Sequence, residues 1–127
     1  MFTIPSDNAN YVFEGTLNSP QTFFGYGIKQ YNNNDNTYYI RTLVNNTTPI
    51  KQTGIVTSTE SNQNGSAYTT NTDVKCKMEY NNGTVKLYID DVLLQTGQIS
   101  FYPKYLTLIN WTYAKTLTFK DIVIKPL

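Results

Sequence analysis

Asn82-Gly83, inside the stretch DVKCKMEYNNGTVKLYIDDVLLQTGQ at 73–98, constrains this chain more than any other feature. A two-residue hairpin turn of type I′ needs positive φ at both central residues, and Asn-Gly supplies that most readily. The flanks agree with a hairpin. Val74, Cys76, Met78 and Tyr80 alternate with Lys75, Lys77 and Glu79, the two-residue period of a strand with one buried face. Closing the turn on Asn82-Gly83 sets Tyr80 against Val85, Met78 against Leu87 and Cys76 against Ile89, so one face is apolar throughout. The other face sets Glu79 against Lys86 and Lys75 against Asp90. A slip of one residue would oppose Lys86 to Met78, which burial of that face disfavours. Asp90-Asp91 then makes a second tight turn, pairing Ile89 with Val92 and Leu87 with Leu94. The stretch reads as a three-stranded antiparallel meander.

Alternation recurs along the rest of the chain, interrupted by Asn, Gly and Pro clusters, with no amphipathic helical segment. Asn10–Leu17, Phe23–Gln30, Thr37–Val44 and Ile50–Thr59 read as strands. In the second, Phe24, Tyr26 and Ile28 take one face, while Gly25 and Gly27 leave room for close approach on the other. The 60–72 stretch is nearly all Ser, Asn, Gln, Thr and Gly around Tyr68, and is expected to be a mobile functional loop. After the meander come Ile99–Pro103, Tyr105–Trp111 and a last strand, Lys115–Pro126. Its apolar residues change phase, from Leu117 and Phe119 to Ile122 and Ile124, so either a bulge near Lys120-Asp121 restores one buried face or both faces are buried. This is the rhythm of an antiparallel β-sandwich. At 127 residues the chain reads as one sandwich domain over 1–127, long enough to bury roughly two-thirds of its unfolded surface.

Several chemistries are excluded by what is missing. With no His, neither Ser-His-Asp nor Cys-His catalysis is available, nor any His-containing metal site. Phosphate-cradling glycine motifs are absent. Of the nine acids only Asp90 and Asp91 adjoin, and they serve a turn, so no carboxylate pair for glycoside hydrolysis is expected. The Asn32–Asn36 cluster has a single carboxylate, Asp35, and lacks calcium-loop spacing. Neither metal nor cofactor is expected. A net charge of +1 supplies no field to gather nucleic acid or an anionic membrane. There is no apolar run long enough to span a bilayer, and the first residues lack the basic and apolar regions of a signal peptide. Cys76, alone and on an inward face, reads as a buried free thiol.

What remains is recognition. Aromatics make up 14% of the chain, eleven of them Tyr, and a Tyr ring suits sheet faces and binding surfaces equally. Asn110, Trp111 and Tyr113 lie at the end of one strand, and Tyr39 and Arg41 share a face on another. Sugar rings stack on aromatic faces and bond to amide, guanidinium and phenol groups, so these five residues are the candidate ligand-binding set. Trp111 as a plug at one end of the core is the competing assignment.

The segments VKLYIDDVLLQTG (85–97) and LTFKDIVIKPL (117–127) resemble the C-terminal half of concanavalin A-like lectin/glucanase domains, LamG-like modules included. There, a strand followed by a "v-y-v-d-g" turn is completed by a closing "f-d-i-x-i" strand. The resemblance implies a jelly-roll sandwich whose last strand lies beside the first, 115–126 next to 10–17. The Glu-x-Asp-x-x-Glu strand motif of the family's hydrolases is absent, and the calcium and manganese site of its legume-type lectins does not map here. The expectation is therefore a non-catalytic carbohydrate-binding or adhesion module, with a glycan or cell-envelope polysaccharide as partner. A Met start without a signal peptide, small size and an Asn/Thr/Tyr-rich surface suit a virion-surface or extracellular setting, such as capsid decoration or a tail fibre. A purely structural virion protein touching other virion proteins, or a fragment of a glycoside hydrolase, are the alternatives.

Overall fold

The meander forms as its pattern dictates. β6 (Val74–Asn81) and β7 (Thr84–Ile89) pair with Tyr80 opposite Val85, Met78 opposite Leu87 and Cys76 opposite Ile89. Asn82 and Gly83 both have positive φ, 48° and 88°, as a type I′ turn demands. The turn into β8 (Val92–Gln98) uses Asp90 at 50° and Asp91 at 67°, unfavourable for residues with a Cβ. Asp90 is held there by its bonds. Its N–H donates to the Lys75 carbonyl at 2.8 Å, Oδ1 accepts from the Lys75 N–H at 2.9 Å, and Oδ2 accepts from Lys51 Nζ at 2.6 Å. Ile89 faces Val92 as expected, but Leu87 faces Gln95 rather than Leu94, because a bulge shifts the register after Tyr88–Leu93. Its cause lies across the core. Gln95, 6% exposed, accepts from Thr53 Oγ1 at 2.9 Å and donates through Nε2 to the Ser61 carbonyl at 3.0 Å.

The computed structural model describes residues 9–20, 24–31, 39–44, 49–110 and 117–127, with backbone alone for 39–44 and Asn110. Those residues form ten strands and no helix, in two antiparallel five-stranded sheets. The back sheet runs β10-β1-β6-β7-β8, adding β1 (Tyr11–Asn18) and β10 (Thr118–Pro126) to the meander. The front sheet runs β5-β4-β3-β2-β9, from β5 (Glu60–Ala67), β4 (Ile50–Val56), β3 (Tyr39–Val44), β2 (Phe24–Lys29) and β9 (Tyr105–Asn110). This is the expected all-β sandwich, and its last strand pairs antiparallel with its first. The phase change in β10 is a bulge: register shifts between Glu14 and Thr16, Asp121 has φ of 55°, and Phe119, Ile122 and Ile124 all pack on the core. Gly15, at the bulge, stands where an added Cβ would collide with the Phe119 ring.

The core lies between the sheets. Phe13, Leu17, Met78 and Leu87 from the back meet Phe24, Tyr26 and Ile28 from the front, each at most 1% exposed. Burial of side chains this large contributes about 1.5–3 kcal/mol apiece. Cys76 is buried, and burial pushes its thiol well above the ordinary range, so it packs as a small hydrophobe.

The 60–72 stretch is not the long loop expected. Its first eight residues form β5, paired with β4 from Val56–Glu60 to Ile50–Ala67. An edge strand with solvent on most of its surface needs no apolar alternation, so backbone pairing forms it where side-chain pattern is silent. Tyr68, 4% exposed, then anchors the chain: its hydroxyl donates to the Ser19 carbonyl at 2.7 Å and its ring meets Phe24 edge-on at 5.2 Å.

Candidate functional site

β2 sets the geometry of the front sheet. Its bulky residues go inward, so Gly25, Gly27 and Lys29 take the outer positions, and strand register extends each into a row across five strands. The middle row reads Asn62, Gly54, Arg41, Gly27, Thr107. One flanking row reads Glu60, Val56, Tyr39, Lys29, Tyr105, and the other Asn64, Gln52, Leu43, Gly25, Ile109. Arg41 thus takes the register position between two glycines. Gly25, Gly27, Lys29 and Gly54 are nevertheless all buried, so the room for close approach expected beside Gly25 and Gly27 is not open to solvent.

Beside the glycines stand amides. Gln52 Nε2 donates to Asn64 Oδ1 at 2.9 Å, and Asn62 Nδ2 donates to Glu60 Oε2 at 3.0 Å. Asn62 and Asn64 are exposed and Gln52 is half-buried. At the far edge Lys104 Nζ lies 5.7 Å from the Tyr105 ring centroid. Glu60 is the one carboxylate in the three rows.

The candidate residues separate. Tyr39 and Arg41 are neighbours in adjoining outer rows, opposite Lys29 and Gly27. Asn110 lies opposite Phe24, in the register of the core-facing residues and five positions along β2 from Tyr39, about 17 Å at strand rise. Trp111 and Tyr113 lie outside the described residues. Sequence reading missed Gln52, Asn62 and Asn64. The signal was there, since Asn62 and Asn64 share parity, but it lay in a stretch assigned to a loop.

A second concavity, of about 400 Å³, opens on the outer face of the back sheet, lined by Glu79, Asn81, Thr84, Lys86 and Leu127. Among the described residues no group of three or more His, Cys, Asp or Glu could hold a metal ion, and no helix is long and apolar enough to cross a membrane.

Two packed antiparallel sheets with terminal strands adjacent form a concanavalin A-like jelly roll. No protein-family model matches the chain, and no curated protein does. Solved structures do match. The carbohydrate binding module CBM66 from Bacillus subtilis is 13% identical, with a TM-score of 0.69 over 95% of this chain and 78% of the module. Galectin-Ib from Xenopus laevis is 13% identical, with a TM-score of 0.60 over 94% of this chain and 95% of the galectin. The PL7 alginate lyase AlyA1 from Zobellia galactanivorans is 14% identical, with a TM-score of 0.55 over 95% of this chain and 63% of the lyase. At such identity the likeness establishes the fold.

Proposed function

We propose that the protein is a non-catalytic carbohydrate-binding module, holding a glycan or cell-envelope polysaccharide on the outer face of its front sheet. The observation that carries this is the placement of Arg41 between Gly27 and Gly54, in a row ending at Asn62. A saccharide presents a flat ring and a rim of hydroxyls. Guanidinium and amide groups suit the rim. The aromatic candidates of the sequence, Tyr39, Trp111 and Tyr113, are tested with Arg41. That a carbohydrate-binding module and a galectin share the fold supports the same reading.

The test is a glycan and polysaccharide array read beside thermal stability. Arg41→Ala is expected to lose binding at unchanged melting temperature, and Tyr39→Ala, Trp111→Ala and Tyr113→Ala to weaken it. Binding undiminished in Arg41→Ala overturns the site. Because one neighbour is an alginate lyase, alginate viscosity is followed in the same samples. A steady fall in viscosity would replace binding by catalysis.

A further inference from the structure

The concavity on the back sheet is built rather than incidental. Glu79 and Lys86 face each other across the β6–β7 hairpin, Asn81 and Thr84 form the next pair, and Leu127 closes the far wall. Its groups are held from behind. Tyr88 OH donates to Glu79 Oε1 at 3.0 Å, orienting the carboxylate, while burial and that carboxylate together keep the phenol protonated by raising its pKa. Gln98 Nε2 donates to Thr84 Oγ1 at 2.7 Å, which leaves the Thr84 hydroxyl proton for another acceptor. Asn10 ties the two walls together. Its Oδ1 accepts the Asn82 N–H at 2.9 Å and its carbonyl accepts the Leu127 N–H at 3.3 Å. Asn81 and Lys86 make no side-chain hydrogen bond or ion pair among the described residues, so both remain available.

A volume of about 400 Å³ lies at the small end of ligand sites. The lining chemistry narrows the occupant. Of the lining side chains one is a carboxylate and one an ammonium, so an anion meets Glu79 and a cation meets Lys86. An amide, a hydroxyl and a lone apolar side chain complete the wall. Such a wall matches a neutral molecule with many hydroxyls and one apolar flank.

We propose that this cleft is a second saccharide site, one that takes a neutral pyranose unit on the face opposite Arg41. Glu79 accepts from vicinal hydroxyls, Lys86 and Asn81 donate to ring or hydroxyl oxygens, and Leu127 covers the apolar side of the ring. With binding faces on both sheets, one chain bridges two glycan strands. The ligand class follows from this cleft's own lining, so its failure and the failure of the front-face site are separable.

The test titrates maltotriose, cellotriose and N,N′,N″-triacetylchitotriose against the isotopically labelled protein and follows amide resonances of Asn81, Thr84 and Lys86. At least one trisaccharide is expected to shift them. In Asn81→Ala/Lys86→Ala the affinity read at Thr84 should weaken by about tenfold or more, as the loss of two hydrogen bonds implies, with melting temperature unchanged. Arg41→Ala should leave those shifts intact. If none of the three sugars moves these resonances, or if the shifts persist undiminished in the double variant, the second site is overturned.

Discussion

The two long sides of the sandwich are closed by different physics. On one, β5 and β8 end their sheets and polar groups span the gap: Thr53 to Gln95, Gln95 to Ser61, and Lys51 to Asp90. On the other, β9 and β10 end the sheets, and closure is apolar. Phe119 lies 6.1 Å from both the Tyr26 and Phe13 ring centroids, with Leu117, Ile122 and Ile124 half-buried beside it. Leu108, in the same core-facing register, is still 50% exposed. Hydrogen bonds are directional, so the polar side locks one register, bulge included. Apolar contact is less directional, and there the β10 register follows from which residues must be buried.

The largest effect should come from the apolar side. Phe119→Ala removes the ring that fills the space above Gly15 and should cost about 3 kcal/mol by denaturant unfolding, with no single second change restoring it. A loss under about 1 kcal/mol would show that Leu117 and Ile122 collapse into the space, making that side softer still.

On the polar side the cost should be smaller and reversible. Gln95→Leu strands the fully buried Thr53 hydroxyl and should cost about 2 kcal/mol, while adding Thr53→Val recovers most of that loss. If the double variant is no more stable than the single, the bond between them is not what closes this side. The comparison would then need a different basis.

The smallest effect concerns the polar tie near the apolar side. Asp73 accepts from Asn18 Nδ2 at 2.9 Å and lies 3.3 Å from Lys120 of β10. The Asn18 bond, then Lys120, holds its carboxyl below the ordinary range. A carboxyl lowered on folding adds stability that is complete above the ordinary carboxylate range and is lost as pH falls through its lowered value. Asp73→Asn should therefore flatten the acid limb of melting temperature against pH, slightly, because the group is exposed and screened. An unchanged acid limb would assign that slope to other carboxyls.

The meander was legible because each level agreed: turn chemistry, alternation and cross-strand pairing all chose one register. The β10 bulge was legible because Leu117 and Phe119 could not share parity with Ile122 and Ile124 without one. The β8 bulge was not. Leu94 looked the better partner for Leu87, and only Thr53 and Ser61, distant in sequence, explain why Gln95 turns inward instead. β5 was missed since ESNQNGSA has no apolar residue before its final Ala, and edge pairing leaves no trace in hydrophobicity. For the site, composition singled out Arg41 and Tyr39, and β3 gives them neighbouring rows. That Asn110 takes a core-facing register at the other end of β2 depends on strand order, which local pattern does not encode.

The pairing of β1 with β10 has a mechanical consequence. Tyr11 faces Pro126 at one end of this ladder and Asn18 faces Thr118 at the other. Antiparallel ladder bonds run perpendicular to the strands. Tension applied between residues 11 and 126 therefore falls on the bonds at that end first, and parts them one after another like a zip. Pulling along the strand axes would load all of them together. Each step that frees β10 also lifts Ile124, Ile122 and then Phe119 from the core, so the strand that yields first under tension is the one whose release opens the apolar side of the sandwich.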